Sequence, residues 1–156
     1  MPVSSANILD NEIDIELKPY IEKLADPCFY ERLIDFAKNA SKSEALVILD
    51  LVDITSTLSI AGKSWVEELS WDTIKKQANI PQLISAIENN NLNISSAKKI
   101  LIWINVGSEV PLPEISQLQD QIKMVGNQYT DYRCGINLDS NNSGLFECMI
   151  LVGGLE

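Results

Sequence analysis

Residues Ser95–Ile122 read SSAKKILIWINVGSEVPLPEISQLQDQI, and the way this stretch divides decides the fold. Lys98–Val106 (KKILIWINV) is a run of apolar side chains without alternation, the pattern of a strand covered on both faces. Beyond Pro111 and Pro113, residues Ile115, Leu118, Ile122 and Val125 recur at spacings of three and four until Gly126. That pattern predicts an amphipathic helix with proline at its start and glycine at its end. The turn between them, with Gly107 at the strand end, is a candidate phosphate site, because helix N-termini attract anions. Here Glu109 and Glu114 crowd the helix start, the two prolines delete amide donors, and no Gly-x-Gly-x-x-Gly is present. The glycine is expected to serve backbone geometry.

Toward the N-terminus, Glu44–Leu58 (EALVILDLVDITSTL) predicts a first strand, with the ribbon Ala45–Leu49 lying beside Ile100–Val106 at the centre of a sheet. Ser64–Asn90 predicts two helices, with a break before Pro81. Ala25–Ala40 predicts a helix capped by Asp26, with Pro27 at its first position and Lys38 near its end. A further helix is expected from Ile13, kinked or started by Pro19, with residues 1–11 polar and loosely attached. Toward the C-terminus, Asp131–Gly154 reads as two apolar strands joined by the turn-rich DSNNSG, a β-hairpin. The expected fold class is α/β: a mixed four-stranded sheet of order (αα)βαβαββ with helices packed on it, residues 26–156 forming the domain and residues 1–25 a helical extension.

The composition narrows the chemistry. At 156 residues and 46% hydrophobic, the chain buries roughly two thirds of its unfolded surface. No apolar run approaches the roughly 20 residues of a membrane span, and the first residues lack the pattern of a secretory signal. A formal net charge of −10 disfavours nucleic acid and anionic membranes as partners. Cys28, Cys134 and Cys148 show no metal or redox spacing, so reduced thiols in a cytoplasmic protein are expected. Histidine is absent, which excludes Ser–His–Asp and Cys–His catalysis and any zinc site that uses histidine.

The remaining motifs are partial. Ser59–Trp65 (SIAGKSW) holds Gly62, Lys63 and Ser64, the tail of a phosphate loop, but Thr57 stands where the earlier glycine is required. A turn before the next helix is the better reading. Asp50 with Asp53, and Glu67 with Glu68, are candidate carboxylate pairs. On a strand, Asp50 and Asp53 point to opposite faces, and all four are expected to be solvated. Asp10, Glu12, Asp14 and Glu16 lack the glycine-centred spacing of a calcium loop. Trp65, Trp71 and Trp103 are expected in packing rather than in a ligand cage. Arg133, beside Tyr132 on a strand, is the one candidate anion anchor, since a guanidinium grips carboxylates with two parallel bonds. No catalytic, cofactor or metal residue is assigned, and no cofactor is expected.

Two stretches, Ala86–Ile122 (AIENNNLNISSAKKILIWINVGSEVPLPEISQLQDQI) and Tyr132–Gly154 (YRCGINLDSNNSGLFECMILVGG), resemble the C-terminal domain of FtsZ, the tubulin-like bacterial cell-division GTPase. In that family a strand of the type AKGVLVNITGG leads to a helix beginning near LxEV and then to two closing strands. The resemblance implies the fold and an assembly habit. The family's glycine-rich nucleotide domain is not expected within these 156 residues. The family's acidic loop, Asn-x-Asp-x-x-Asp, inserts catalytic carboxylates into a neighbour's nucleotide site. Here Asn11–Glu16 (NEIDIE) only imitates it, so no catalytic residue carries over and no nucleotide is expected.

The expectation is therefore a non-catalytic module that self-associates or docks on a protein partner. The alternative is a small oligomeric enzyme or ligand-binding protein with its site between subunits, as in the chorismate-mutase-like trimers, and only likeness of architecture supports it.

Overall fold

The computed structural model of the protein describes residues 5–40 and 46–156. Helix α1 (Ser5–Leu17) already covers the segment expected to be loose up to residue 11, while residues 1–4 lie outside the described ones. Pro19 then enforces a single 3₁₀ segment, Lys18–Lys23. The Asp26 side chain accepts from Cys28 N, Pro27 occupies the first position of a short 3₁₀ turn, and α2 (Tyr30–Ala40) follows with Leu33, Phe36, Ala37 and Ala40 buried. Ile13 and Leu17 of α1 are fully buried. The Tyr30 hydroxyl donates to the Asp14 carboxylate, and burial together with that neighbour pushes its pKa up to about 12.

The first predicted strand is where the structure departs most from the expectation. Glu44 and Ala45 lie outside the described residues. Leu46–Leu49 forms no strand, only a single bridge at Val47, and helix α3 (Leu51–Leu58) begins where the strand was expected to continue. The local cause is a capping box. Asp50 Oδ1 accepts from Asp53 N at 2.8 Å, and Asp53 Oδ2 accepts from Asp50 N at 3.2 Å. The Thr57 and Ser59 hydroxyls turn back onto the Asp53 and Thr55 carbonyls, so polar and β-branched residues are accommodated within the helix.

The first strand of the sheet is instead β1 (Lys63–Leu69), in a region expected to be helical. A bulge between Lys63 and Trp65 breaks its alternation, so Ser64, Trp65 and Val66 are buried in succession. Trp65, Val66 and Leu69 then imitate helical spacing. A small hairpin follows, β2 (Trp71–Asp72) and β3 (Gln77–Ala78), and then α4 (Ile80–Asn89), with Pro81 in its first turn. Next come β4 (Lys99–Gly107), α5 (Leu112–Lys123), β5 (Asp131–Asp139) and β6 (Phe146–Leu155). The βαβαββ order is thus present, with Lys63–Leu69 as its first strand.

The main sheet has the order β1-β6-β4-β5, and β4 runs parallel to β5 and antiparallel to β6. The expected terminal hairpin is therefore not formed: β5 and β6 lie on opposite sides of β4. Six of the first eight residues of β4 are fully buried or nearly so, and β6 is buried from Cys148 to Leu155. These two strands take the centre because they offer apolar side chains to both faces. The ribbon Leu46–Leu49 meets the sheet through one pair of bonds, Val47 with Ile136, on the outer edge of β5, and Leu49 N donates to Ala40 O at the end of α2. Thr57 of α3 lies against Gly153 on one face of the sheet, while Gln119 of α5 reaches Cys134 on the other.

Candidate interaction site

The capping box places Asp50 and Asp53 together at the start of α3, not on opposite faces. Arg133 joins them from β5: its Nη1 is 3.3 Å from Asp53 Oδ1, and its Nε is 3.8 Å from Asp131 Oδ2. A ligand carboxylate at Arg133 would compete with two resident carboxylates. The spacing Asp-x-x-Asp, sought at Asn11–Glu16, falls here as Ile48-x-Asp50-x-x-Asp53. The signal was present in the sequence, and reading the segment as a strand concealed it.

Apolar side chains surround this pair. Leu46, Val47, Ile48 and Val52 are all exposed, Leu46 and Val52 by 69% and 71%. Next to them runs a groove of about 540 Å³, walled by Leu46, Val106, Val110, Leu112, Ile115, Ile136 and Leu138. Neither lysine nor arginine lines it, and the exposed Glu109 stands between its lining residues Ser108 and Val110. Contiguous apolar surface of this kind marks interaction sites more often than it occurs by chance on a monomer.

A second feature lies on the other flank of α5. Glu114, buried at 7% exposure, accepts from Lys76 Nζ at 2.8 Å and from Trp71 Nε1 at 3.1 Å. Lys76, and then Trp71, hold its carboxyl below the usual range. Trp71 stacks on Phe146 with ring centroids 5.5 Å apart, and the Gln121 side chain bonds both Ala78 N and Lys76 O. The β2–β3 hairpin is thereby fastened to the body.

The other candidates disperse. Gly62, at φ +112°, is pressed against Leu155 O and Gly154; Lys63 Nζ donates to Glu22 O, and Ser64 is buried in β1. At Gly107 a Cβ would meet Asn142 O at 2.0 Å, so the close approach of the β5–β6 loop requires glycine. Glu67 accepts from Trp65 Nε1, and Glu68 is exposed. The tryptophans have separate neighbours: Trp65 packs on Phe29, Trp71 on Phe146, and Trp103 against Gly135. The side chain of Asp10 lies outside those described. Among the described residues no group of three or more His, Cys, Asp or Glu side chains is placed to hold a metal. Burial raises the thiol pKa of Cys134 and of Cys148. No described helix is long and apolar enough to cross a membrane.

No family model and no curated protein matches the chain. Solved structures do. A point mutant of FtsZ from M. jannaschii superposes with a TM-score of 0.56 at 18% identity, over 80% of this chain and 39% of its own. A GTPγS-form protofilament of TubZ from Bacillus thuringiensis serovar israelensis gives 0.58 at 10% identity, over 91% and 40%. The GDP-form TubZ protofilaments give 0.53 at 13%, over 90% and 40%. The chain thus has the fold found within tubulin/FtsZ-type proteins and spans about two fifths of the length of these three.

Proposed function

We propose that the protein is a non-catalytic assembly or protein-binding module equivalent to the C-terminal domain of the tubulin/FtsZ family. It would act through the face formed by Leu46–Asp53, the edge of β5 and the start of α5. The observation that carries this reading is the exposed apolar groove beside the Asp50–Asp53 pair, on a fold shared with a protein solved as a protofilament. In the family pattern two aspartates at this spacing reach into a neighbour's nucleotide site. In this chain isoleucine replaces the asparagine, and the carboxylates are engaged: Asp50 caps Asp53 N, while Asp53 holds Asp50 N and Arg133. Groups bound in this way position a helix and are poor activators of water, which favours docking over hydrolysis.

The test is size-exclusion chromatography with light scattering over a range of concentrations, together with co-sedimentation on an FtsZ polymer. Self-association or co-sedimentation is expected. A protein that stays monomeric and remains in the supernatant when the polymer is pelleted defeats the proposal, and a large upward melting shift with GTP defeats its non-catalytic part.

A further inference from the structure

The β2–β3 hairpin holds out something that its own fold does not use. At its turn Ile74 is 90% exposed, and Lys75 beside it is exposed as well. Single exposed apolar residues are ordinary, but this tip is set in place. Asp72 Oδ1 accepts from Ile74 N and Lys75 N at 2.9 and 3.0 Å, and Lys76 takes a φ of 55° to close the turn. The hairpin base is fixed through Trp71, Lys76 and Gln121, as described above. A projection whose conformation is already fixed loses little entropy on binding.

The same chain carries a matching socket. The hairpin is fastened to one flank of α5 through Glu114 and Gln121, and the groove opens along the other flank through Leu112, Ser116 and Gln119. The tip is an aliphatic side chain next to an ammonium. The groove is largely aliphatic, and the exposed Glu109 stands between two of its lining residues, Ser108 and Val110. For copies that each carry a net charge of −10, close approach is favoured where a cation of one meets a carboxylate of the other.

We infer that the partner at the groove is a second copy of this chain: Ile74 of one copy enters the groove at Leu112, Ile115 and Leu138 of the next, with Lys75 against Glu109. This rests on the assembly reading and names its partner. Knob and socket are different patches, so the contact is heterologous. Each added copy leaves one knob and one socket open, and growth continues unless the geometry closes a ring.

The experiment compares the full chain with Ile74→Glu and Leu112→Glu by analytical ultracentrifugation from micromolar to millimolar concentration. Both positions are exposed, and matching thermal melts verify that both variants fold. The parent should show a concentration-dependent series of oligomers, and each variant alone should raise the apparent Kd at least about tenfold. Mixed together, the variants should form a 1:1 heterodimer that grows no further, because the Leu112→Glu copy keeps a knob and the Ile74→Glu copy keeps a socket. A parent that assembles while Ile74→Glu assembles equally well overturns the docking and leaves the assembly reading standing. A mixture without heterodimer overturns it too. A monomeric parent overturns the docking and, if it also ignores the FtsZ polymer, removes the reading beneath it.

Discussion

Replacing Asp50 with alanine tests whether residues 50–58 are held as a capped helix. The N-cap aspartate accepts from Asp53 N at 2.8 Å, and losing such a cap costs about 1 kcal/mol, within a range of about 0.5–2. Because α3 is eight residues long and buries Ile54, Thr57 and Leu58 completely, its first turn cannot loosen without disturbing the core, so the loss should register in global stability. Asp53→Ala removes the longer return bond, at 3.2 Å, and the contact to an Arg133 side chain that is 55% exposed. Exposed ion pairs contribute about 0–1 kcal/mol, so a similar total, about 1 kcal/mol, is expected. The double variant discriminates best. Both residues belong to one box, so the double loss should fall short of the sum by about 0.5 kcal/mol or more. On a strand the two side chains would face opposite ways and their losses would add. Urea unfolding of all four forms, followed by tryptophan fluorescence and far-UV circular dichroism, supplies the cycle, and Asp50→Ser should recover most of the cap. Additivity within about 0.3 kcal/mol, or an Asp50→Ala variant as stable as the parent, would refute the capped helix.

Ser64 Oγ is buried without a hydrogen-bond partner among the described residues; Ser64→Ala should therefore raise stability by about 1 kcal/mol, and a lower urea midpoint would mean that the hydroxyl has a partner. Gly107→Ala would set a methyl 2.0 Å from Asn142 O and 2.3 Å from Ser143 O, forcing the loop away at a cost of about 1–3 kcal/mol; an unchanged Tm contradicts that close approach. Lys76 and Trp71 depress the folded-state pKa of Glu114, so its contribution is complete above its ordinary value of 4.5 and is lost as pH falls through the lower folded value. Glu114→Gln should accordingly flatten the acid side of the Tm-against-pH curve, and a curve parallel to that of the parent argues against the network.

The parts of the fold that were legible in the sequence are those fixed by short-range chemistry. Asp26–Pro27 before α2, Pro113 and Gly126 around α5, and the unbroken apolar run of β4 each announce a single local structure. The β2–β3 hairpin gave no such signal, because its turn Thr73–Lys76 contains neither glycine nor asparagine and places a lysine at positive φ. In β1 the bulge erased the period of two. The sides taken by β5 and β6 depend on competition for the edges of β4, which no window of sequence contains. Of the candidate site, the carboxylate pair and Arg133 were each visible, but their meeting was not: it needs the helix at Leu51 and a strand some 80 residues further on.

The misread ribbon and the candidate interface have one cause. An edge of a strand can be paired once, and β4 gives one edge to β5 and the other to β6. Nothing central remains for Leu46–Leu49, which meets the sheet on the outside of β5 through Val47 and Ile136. One side chain of this ribbon, Leu49, is buried, whereas Leu46, Val47 and Ile48 stay in water. A segment with the composition of a core strand is thereby placed on the surface, next to a groove built from the same kind of side chain. A departure from the pattern that packing alone would choose is expected where a surface has another task, and that task is best sought in what covers these three residues and the groove beside them.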